Sequence, residues 1–216
     1  MEKTNIKCYN QKTKEVPSFV EKQNAGKPYL NYGNNNQFPQ YLWELYLKSA
    51  ILQSIINGSV DYVMGNSISS TIPIADKINQ DGETLEDLIK KLAIDYFIFG
   101  GFALQVIFNK LGTVAELYWL DFRNVRLDKE CTKAFYSEDW VGHSKDFITY
   151  ELFDQNSRKG TSVFYFNGHI SRGAYPIPRY NGALAAIETS TEISKFHLNS
   201  ILNNFSSNFI INFNNG

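Results

Sequence analysis

The sequence predicts an α+β fold, with helices packed on a mostly antiparallel sheet and a long helix following it. Three observations carry this. Apolar residues fall at three-and-four spacing over residues 39–64 and again over 85–96, the signature of helix. Residues 102–108 and 114–120 are strand-like runs joined by Asn109-Lys-Leu-Gly112, a hairpin connection containing glycine. A second long helical pattern runs over residues 183–205. Helices that lead into a meander give α+β rather than alternating α/β architecture.

Taken in chain order, residues 1–28 are a polar tail with Lys3, Lys7, Lys12, Lys14 and Lys22 and few apolar side chains. Such a segment buries too little surface to offset its ordering entropy and is expected to be flexible; the alternative is a basic arm docked on a neighbouring subunit or an acidic partner. Pro39 suits a first helical turn, and Leu42, Trp43, Leu45, Tyr46, Ile51, Leu52, Ile55, Ile56, Val60 and Val63 follow. Gly58 weakens the middle and Gly65 supplies a stop, so one helix and two linked helices fit equally. Residues 67–74 alternate like a strand, with Pro73 marking an edge or an end. Thr84 and Asp87 have capping-box spacing ahead of Leu85, Leu88, Ile89, Leu92 and Tyr96 on one stripe, and Gly100-Gly101 ends that helix. Residues 125–127, 134–136, 147–153 and 162–166 read as further short strands, expected to continue the sheet antiparallel.

Composition excludes several function classes. A formal net charge of -1 argues against a protein that grips nucleic acid through a basic face, since such binding needs several Lys or Arg on phosphates. The two cysteines, Cys8 and Cys131, supply neither a disulfide scaffold nor a CxxC metal site, and a reducing compartment is the natural reading. No leader pattern opens the chain, and no apolar run approaches the roughly 18 residues of a membrane span.

Chemistry-bearing patterns are sparse. Gly100-Gly101 lacks the context of a phosphate loop and is better explained as a helix cap. His143, His169 and His197 are scattered, with no acidic partner at ligand spacing. Glu116 and Asp121 lie at strand ends, where charged residues are usually solvated, and Asp121, His169 and Ser171 form a triad only on paper because no nucleophile elbow supports it. No catalytic residue, cofactor site or metal site is expected.

The last third is more informative. In Tyr175-Pro-Ile-Pro-Arg-Tyr180, Pro176 and Pro178 fix φ and push Tyr175 and Ile177 toward extended conformations. With Gly182, this makes a stiff strap that delivers the following helix at a set angle. That helix offers apolar Leu184, Ile187, Leu198, Ile201, Leu202 and Phe205 beside a polar stripe of Glu188, Glu192, Lys195, Asn199 and Asn203, while Ile193 and Phe196 widen the apolar surface. The bland reading is a long surface helix on its own sheet; the sharper one is a subunit-contact helix.

The order of Tyr32-Gly-Asn-Asn-Asn-Gln-Phe-Pro39, then Phe99-Gly-Gly-Phe-Ala-Leu-Gln-Val-Ile107, then the proline strap and long helix resembles a tailed-phage portal protein of the Bacteroides phage and prophage kind. The resemblance implies a subunit of a ring, usually dodecameric, that forms the DNA channel at one capsid vertex. Residues 29–180 would be a wing domain, 181–205 the first stem helix and 206–216 the entry to a clip, with nothing corresponding to the rest of the clip or a second stem helix. Glu188, Glu192 and Lys195 would face the channel, where a mostly acidic lining lets duplex DNA slide with low affinity and no sequence preference. Ile187, Leu198, Ile201 and Phe205 would contact neighbouring subunits. The implied partners are further copies of itself, the major capsid protein, the terminase large subunit and the tail adaptor, in the virion and in the host cytoplasm during assembly, with no membrane. The alternative is a prophage-derived interaction module that uses a wing-like fold without a channel role.

Overall fold

The computed structural model describes residues 17–67, 75–140, 146–168 and 173–203. A short pair of strands, β1 (Glu21–Gln23) and β2 (Leu30–Tyr32), precedes helices α1 (Phe38–Lys48), α2 (Ala50–Met64) and α3 (Leu85–Phe99). Strands β3 (Gly101–Phe108), β4 (Val114–Leu120), β5 (Val125–Leu127), β6 (Lys133–Tyr136), β7 (Ile148–Leu152) and β8 (Thr161–Asn167) form one sheet, and helix α4 (Leu184–Leu202) follows. The fold is α+β, with helices on a mostly antiparallel six-stranded sheet.

Local chemistry explains where the helices begin and end. The break in residues 39–64 falls at Ser49, whose extended backbone ends α1 and whose hydroxyl accepts the Leu52 amide at 3.3 Å to start α2. Gly58 sits within the unbroken α2, with open space where a Cβ would be. The capping box before α3 is complete: Thr84 Oγ1 accepts the Asp87 amide at 3.2 Å, and Asp87 Oδ2 accepts the Thr84 amide at 3.0 Å. At the other end Gly100 takes the left-handed conformation, φ 86°, that a side chain disfavours.

The sheet order is β4-β3-β8-β7-β6-β5, so β8 inserts between the hairpin and the downstream strands. The expectation of a wholly antiparallel continuation is corrected here, because β7 and β8 run parallel. A parallel pair normally needs a long crossover. These two avoid it because only the end of β7 meets the start of β8, Glu151 opposite Ser162 and Leu152 opposite Val163, so a short loop suffices.

Helix α3 lies on β3 and β4, α2 packs on α3, and α1 joins α2, α3 and the start of α4. Their buried faces, including Leu42, Leu45, Leu52, Ile56, Ile98 and Phe99, form one core with Ala103 and Val163 of the sheet. The boundary of the polar tail is also corrected. Residues 17–28 were expected within a flexible segment, yet β1 pairs with β2 and Phe19 sets its ring edge-on against Tyr32 and Phe38. One aromatic residue reaching the core outweighs the polar composition around it. The strand expected over residues 67–74 lies almost wholly outside the described residues, as do most of the tail, His143, His169, Ser171 and Phe205.

Candidate functional site

The strap between β8 and α4 is tied to the domain from four sides. The Glu21 carboxylate of β1 accepts the amides of Ala174 at 3.1 Å and Tyr175 at 2.8 Å. Tyr175 is fully buried; its hydroxyl donates to the Leu30 carbonyl at 2.6 Å and accepts the Leu127 amide at 3.0 Å. Its ring stacks on Tyr32 with centroids 4.3 Å apart, and the Tyr32 hydroxyl donates to the Pro176 carbonyl at 2.5 Å. Tyr180 closes the strap by donating to the Ile98 carbonyl of α3 at 2.8 Å. Burial raises the phenol pKa of Tyr32, Tyr175 and Tyr180, so all three hold their protons and act as donors.

Glycines make room for this arrangement. A Cβ on Gly100 would stand 2.7 Å from the Ile177 carbonyl oxygen, and one on Gly101 would stand 2.9 Å from Pro176 Cγ and closer still to the Phe166 carbonyl oxygen. The Gly100-Gly101 pair therefore serves both as a helix stop and as the floor under the strap. Pro176 and Pro178 are buried. Gly182 is exposed within the 3-10 turn Asn181–Ala183, with open space where a Cβ would sit.

Beneath the strap, Arg126 is the largest fully buried side chain among the described residues. Its Nε donates to Asn36 Oδ1 at 2.6 Å, Nη2 to the Asn36 carbonyl at 2.8 Å, and Nη1 to the carbonyls of Arg123 and Val125 at 2.8 Å each. The guanidinium lies over the Trp140 ring at 5.0 Å and the Tyr32 ring at 5.8 Å. These partners are neutral, and burial brings its pKa down to about 10. Arg126 thus joins the Tyr32-Gly-Asn-Asn-Asn36 loop to β5, next to the Tyr32 ring on which Tyr175 of the strap stacks.

Helix α4 starts against the body and leaves it. Leu184 and Ile187 pack on the domain's own core, and Thr191 is buried with its hydroxyl donating to the Ile187 carbonyl at 2.9 Å. Glu188 is half-buried against α1, where it accepts a long hydrogen bond from the Tyr41 hydroxyl, 3.4 Å; burial, and then the Glu188 charge, push the Tyr41 phenol up to about 12. Beyond Thr191 the helix is exposed on most sides: Phe196 is 69% and Leu202 70% accessible, and Ile193, Leu198 and Ile201 are each more than half exposed. Glu192 and Lys195 are exposed and paired at 2.5 Å. The structure thus places Ile187 inward and Leu198 and Ile201 outward, and puts Glu188 against the body while Glu192 and Lys195 face solvent.

Elsewhere three carboxylates have structural partners. Asp121 is bound in a fork by the Arg123 guanidinium, which stacks over Trp43 at 4.6 Å, and Glu116 accepts from Gln80 and Tyr118. Asp95 is buried in α3 and accepts the Trp119 indole at 2.7 Å; burial raises its pKa well above the usual carboxylate range. Among the described residues no three His, Cys, Asp or Glu side chains gather as a metal site, and no helix is long and apolar enough to cross a membrane.

Sequence reasoning missed Arg126, Glu21 and the Tyr32–Tyr175 stack. A lone arginine between Val125 and Leu127 in a short strand was the available signal for the first. Nothing local marks Glu21, whose partners lie more than 150 residues away.

The fold is shared with solved chains of gene transfer agent (GTA) particles. A chain from the neck of the empty particle, computed with C6 symmetry, superposes with a TM-score of 0.59 at 10% identity, over 76% of this chain and 47% of that one. A chain from the virion of the native particle gives 0.60 at 12% identity, over 82% and 48%. One from the neck of the native particle, computed with C12 symmetry, gives 0.59 at 12%, over 76% and 45%. At such identities the likeness is one of fold, and this chain spans about half the length of the chains it matches. No protein-family model and no curated protein matches the sequence.

Proposed function

We propose that this chain is a structural, non-catalytic subunit of the neck of a phage-like particle, and within that neck a portal-type ring subunit. The observation that carries the reading is α4: a buried and bonded strap aims it, and its second half leaves the domain with large apolar side chains in water. A helix fixed so firmly at its root and so poorly covered at its tip is built to meet other subunits. The fold shared with GTA neck and virion chains supports the same reading.

In this role residues 29–180 form the wing, 181–205 a stem helix beside the DNA channel and 206–216 the way into a clip. Pro176 and Pro178 set the angle of the stem. Glu192, with Glu188 nearer the wing, gives the channel side an acidic character that Lys195 only partly offsets, so DNA passes without being held. Capsid protein, terminase and tail adaptor are the partners of such a ring, and the virion is its place.

Fluorescence anisotropy with labelled duplexes tests the channel role. Binding should be weak at physiological salt and equal for unrelated sequences. A tight complex with one sequence would refute it.

A further inference from the structure

Asparagine is followed by glycine at Asn57, Asn167, Asn181 and Asn215, the last of which lies outside the described residues. The pairing matters because an asparagine side chain is open to attack by the backbone nitrogen of the next residue, and glycine hinders that approach least. Two of the described pairs are held against it. Asn57-Gly58 lies inside α2, where the helical ladder fixes the backbone, and Asn57 Oδ1 accepts the Tyr46 hydroxyl at 2.8 Å. At the end of β8, Asn167 Nδ2 donates to the carbonyls of Gly173 at 3.2 Å and Ala174 at 3.3 Å, and the Gly168 amide donates to the Gly100 carbonyl at 3.0 Å.

Asn181-Gly182 differs on every count. It is exposed in the short turn between Tyr180, the last anchor of the strap, and Leu184, the first residue of α4. The amides on either side are occupied, Asn181 donating to the Pro178 carbonyl at 3.0 Å and Ala183 to the Tyr180 carbonyl at 2.8 Å. Neither the Gly182 amide nor the Asn181 side chain has a hydrogen-bond partner among the described residues. Nothing lies within 4 Å of where a Gly182 Cβ would sit, so the turn can swing its backbone toward the side chain without displacing a neighbour.

We propose that Asn181-Gly182 is a site of spontaneous covalent modification at the root of α4. The Gly182 nitrogen, losing its proton to solvent base, attacks the side-chain carbonyl carbon of Asn181; the new C–N bond closes a succinimide ring and ammonia leaves. Water then opens the ring at either carbonyl. One opening gives an aspartyl residue, and the other an isoaspartyl residue whose main chain runs through the former side chain and is longer by a methylene. An amide is exchanged for a carboxylate, and no oxidant or reductant takes part. The position gives the change a consequence, because α4 begins with no side-chain cap and no acidic residue in its first turn. The modification places a negative charge beside those amides and, in the isoaspartyl form, lengthens the link through which the anchored Tyr180 aims the helix. This inference does not depend on what α4 meets.

Ageing the full chain in mildly alkaline buffer tests it, with peptide mapping by mass spectrometry and enzymatic methyl labelling of isoaspartate. In the folded chain Asn181 should convert at least about tenfold faster than Asn57 or Asn167, since those two react only through local opening of α2 or β8. In the chain denatured by urea the three should react at similar rates. Asn181→Gln should remove the product and Gly182→Ala should slow its formation, and circular dichroism should show both variants folded because both positions are exposed. Asn57 or Asn167 reacting as fast as Asn181 in the folded chain would overturn the proposal, as would an intact Asn181 under conditions in which the denatured chain reacts. Hydrogen exchange reads the consequence: in the isoaspartyl fraction the first turn of α4 should exchange faster than in fresh protein, and α1 should be unchanged. Equal exchange in that turn would show that the link does not set the helix, and that half of the proposal would fall.

Discussion

Replacing Arg126 separates the two things a buried guanidinium does. Its pKa, brought down to about 10 by burial, corresponds to roughly 3 kcal/mol of unfavourable environment for the cation. Against that cost stand four hydrogen bonds to acceptors that lie inside the domain. In Arg126→Met the charge goes and the stem volume stays. Asn36 Oδ1 keeps the Tyr32 amide and the Arg123 carbonyl keeps the Gln40 side-chain amide, so the carbonyls of Asn36 and Val125 are the acceptors left short of a donor, at about 1–3 kcal/mol each. Relief of the charge offsets most of this, and a net loss of about 1–2 kcal/mol is expected. In Arg126→Lys the buried charge remains, but a point-like ammonium cannot serve acceptors on two sides as a planar fork does. Lysine should therefore be the worse substitution, by about 2 kcal/mol or more, although it is formally the conservative one. For a chain of this length the difference is a Tm gap of roughly 4–8 °C, with lysine lower. Urea titrations followed by tryptophan fluorescence, with Trp140 beside the site, measure it directly. A lysine variant as stable as the methionine variant would refute the idea that the donor fork, rather than the charge, is what the site uses.

Two further outcomes follow from the same region. Asp95 has a folded-state pKa raised above its unfolded value, so its protonated form is the one the fold favours and the stabilisation present at low pH is lost as pH rises through the folded value. Asp95→Asn, which keeps an acceptor for the Trp119 indole, should raise stability at pH 7 by on the order of 1 kcal/mol and leave it nearly unchanged near pH 3; chemical denaturation at the two pH values distinguishes them. Gly101→Ala should cost about 1–3 kcal/mol, because the added Cβ meets Pro176 Cγ and a carbonyl of the neighbouring strand, and hydrogen exchange should show faster opening of the strap than of α1.

Much of the local structure was legible because its causes are local. Thr84 and Asp87 three residues apart, glycine at position 100 and a Gly-containing turn between two strand-like runs each specify their own geometry, and those elements stand within a residue or two of expectation. Residues 39–64 fit one helix or two in the sequence, with Gly58 as the weak point; the break lies instead at Ser49, which offers a cap as well as a break. The position of β8 was not legible, since register between strands some 60 residues apart is decided by the packed sheet. The same holds for the candidate site. The proline pattern announced a rigid strap before a helix, but the Glu21 carboxylate, the Tyr32–Tyr175 stack and Arg126 that fasten it come from distant segments.

Strand order also has a temporal meaning. The strap can be fastened only when β8 lies against β3 and when β5, which supplies Leu127 and Arg126, is in place, and these pairings close long stretches of chain. Such non-local closures come late in folding, after the helices and the β3–β4 hairpin. The apolar tip of α4 is then held out at its final angle by a domain that has already completed its sheet. On the ring reading proposed above, a newly made chain that has not finished folding would lack this fixed helix angle, so folding would have to precede assembly.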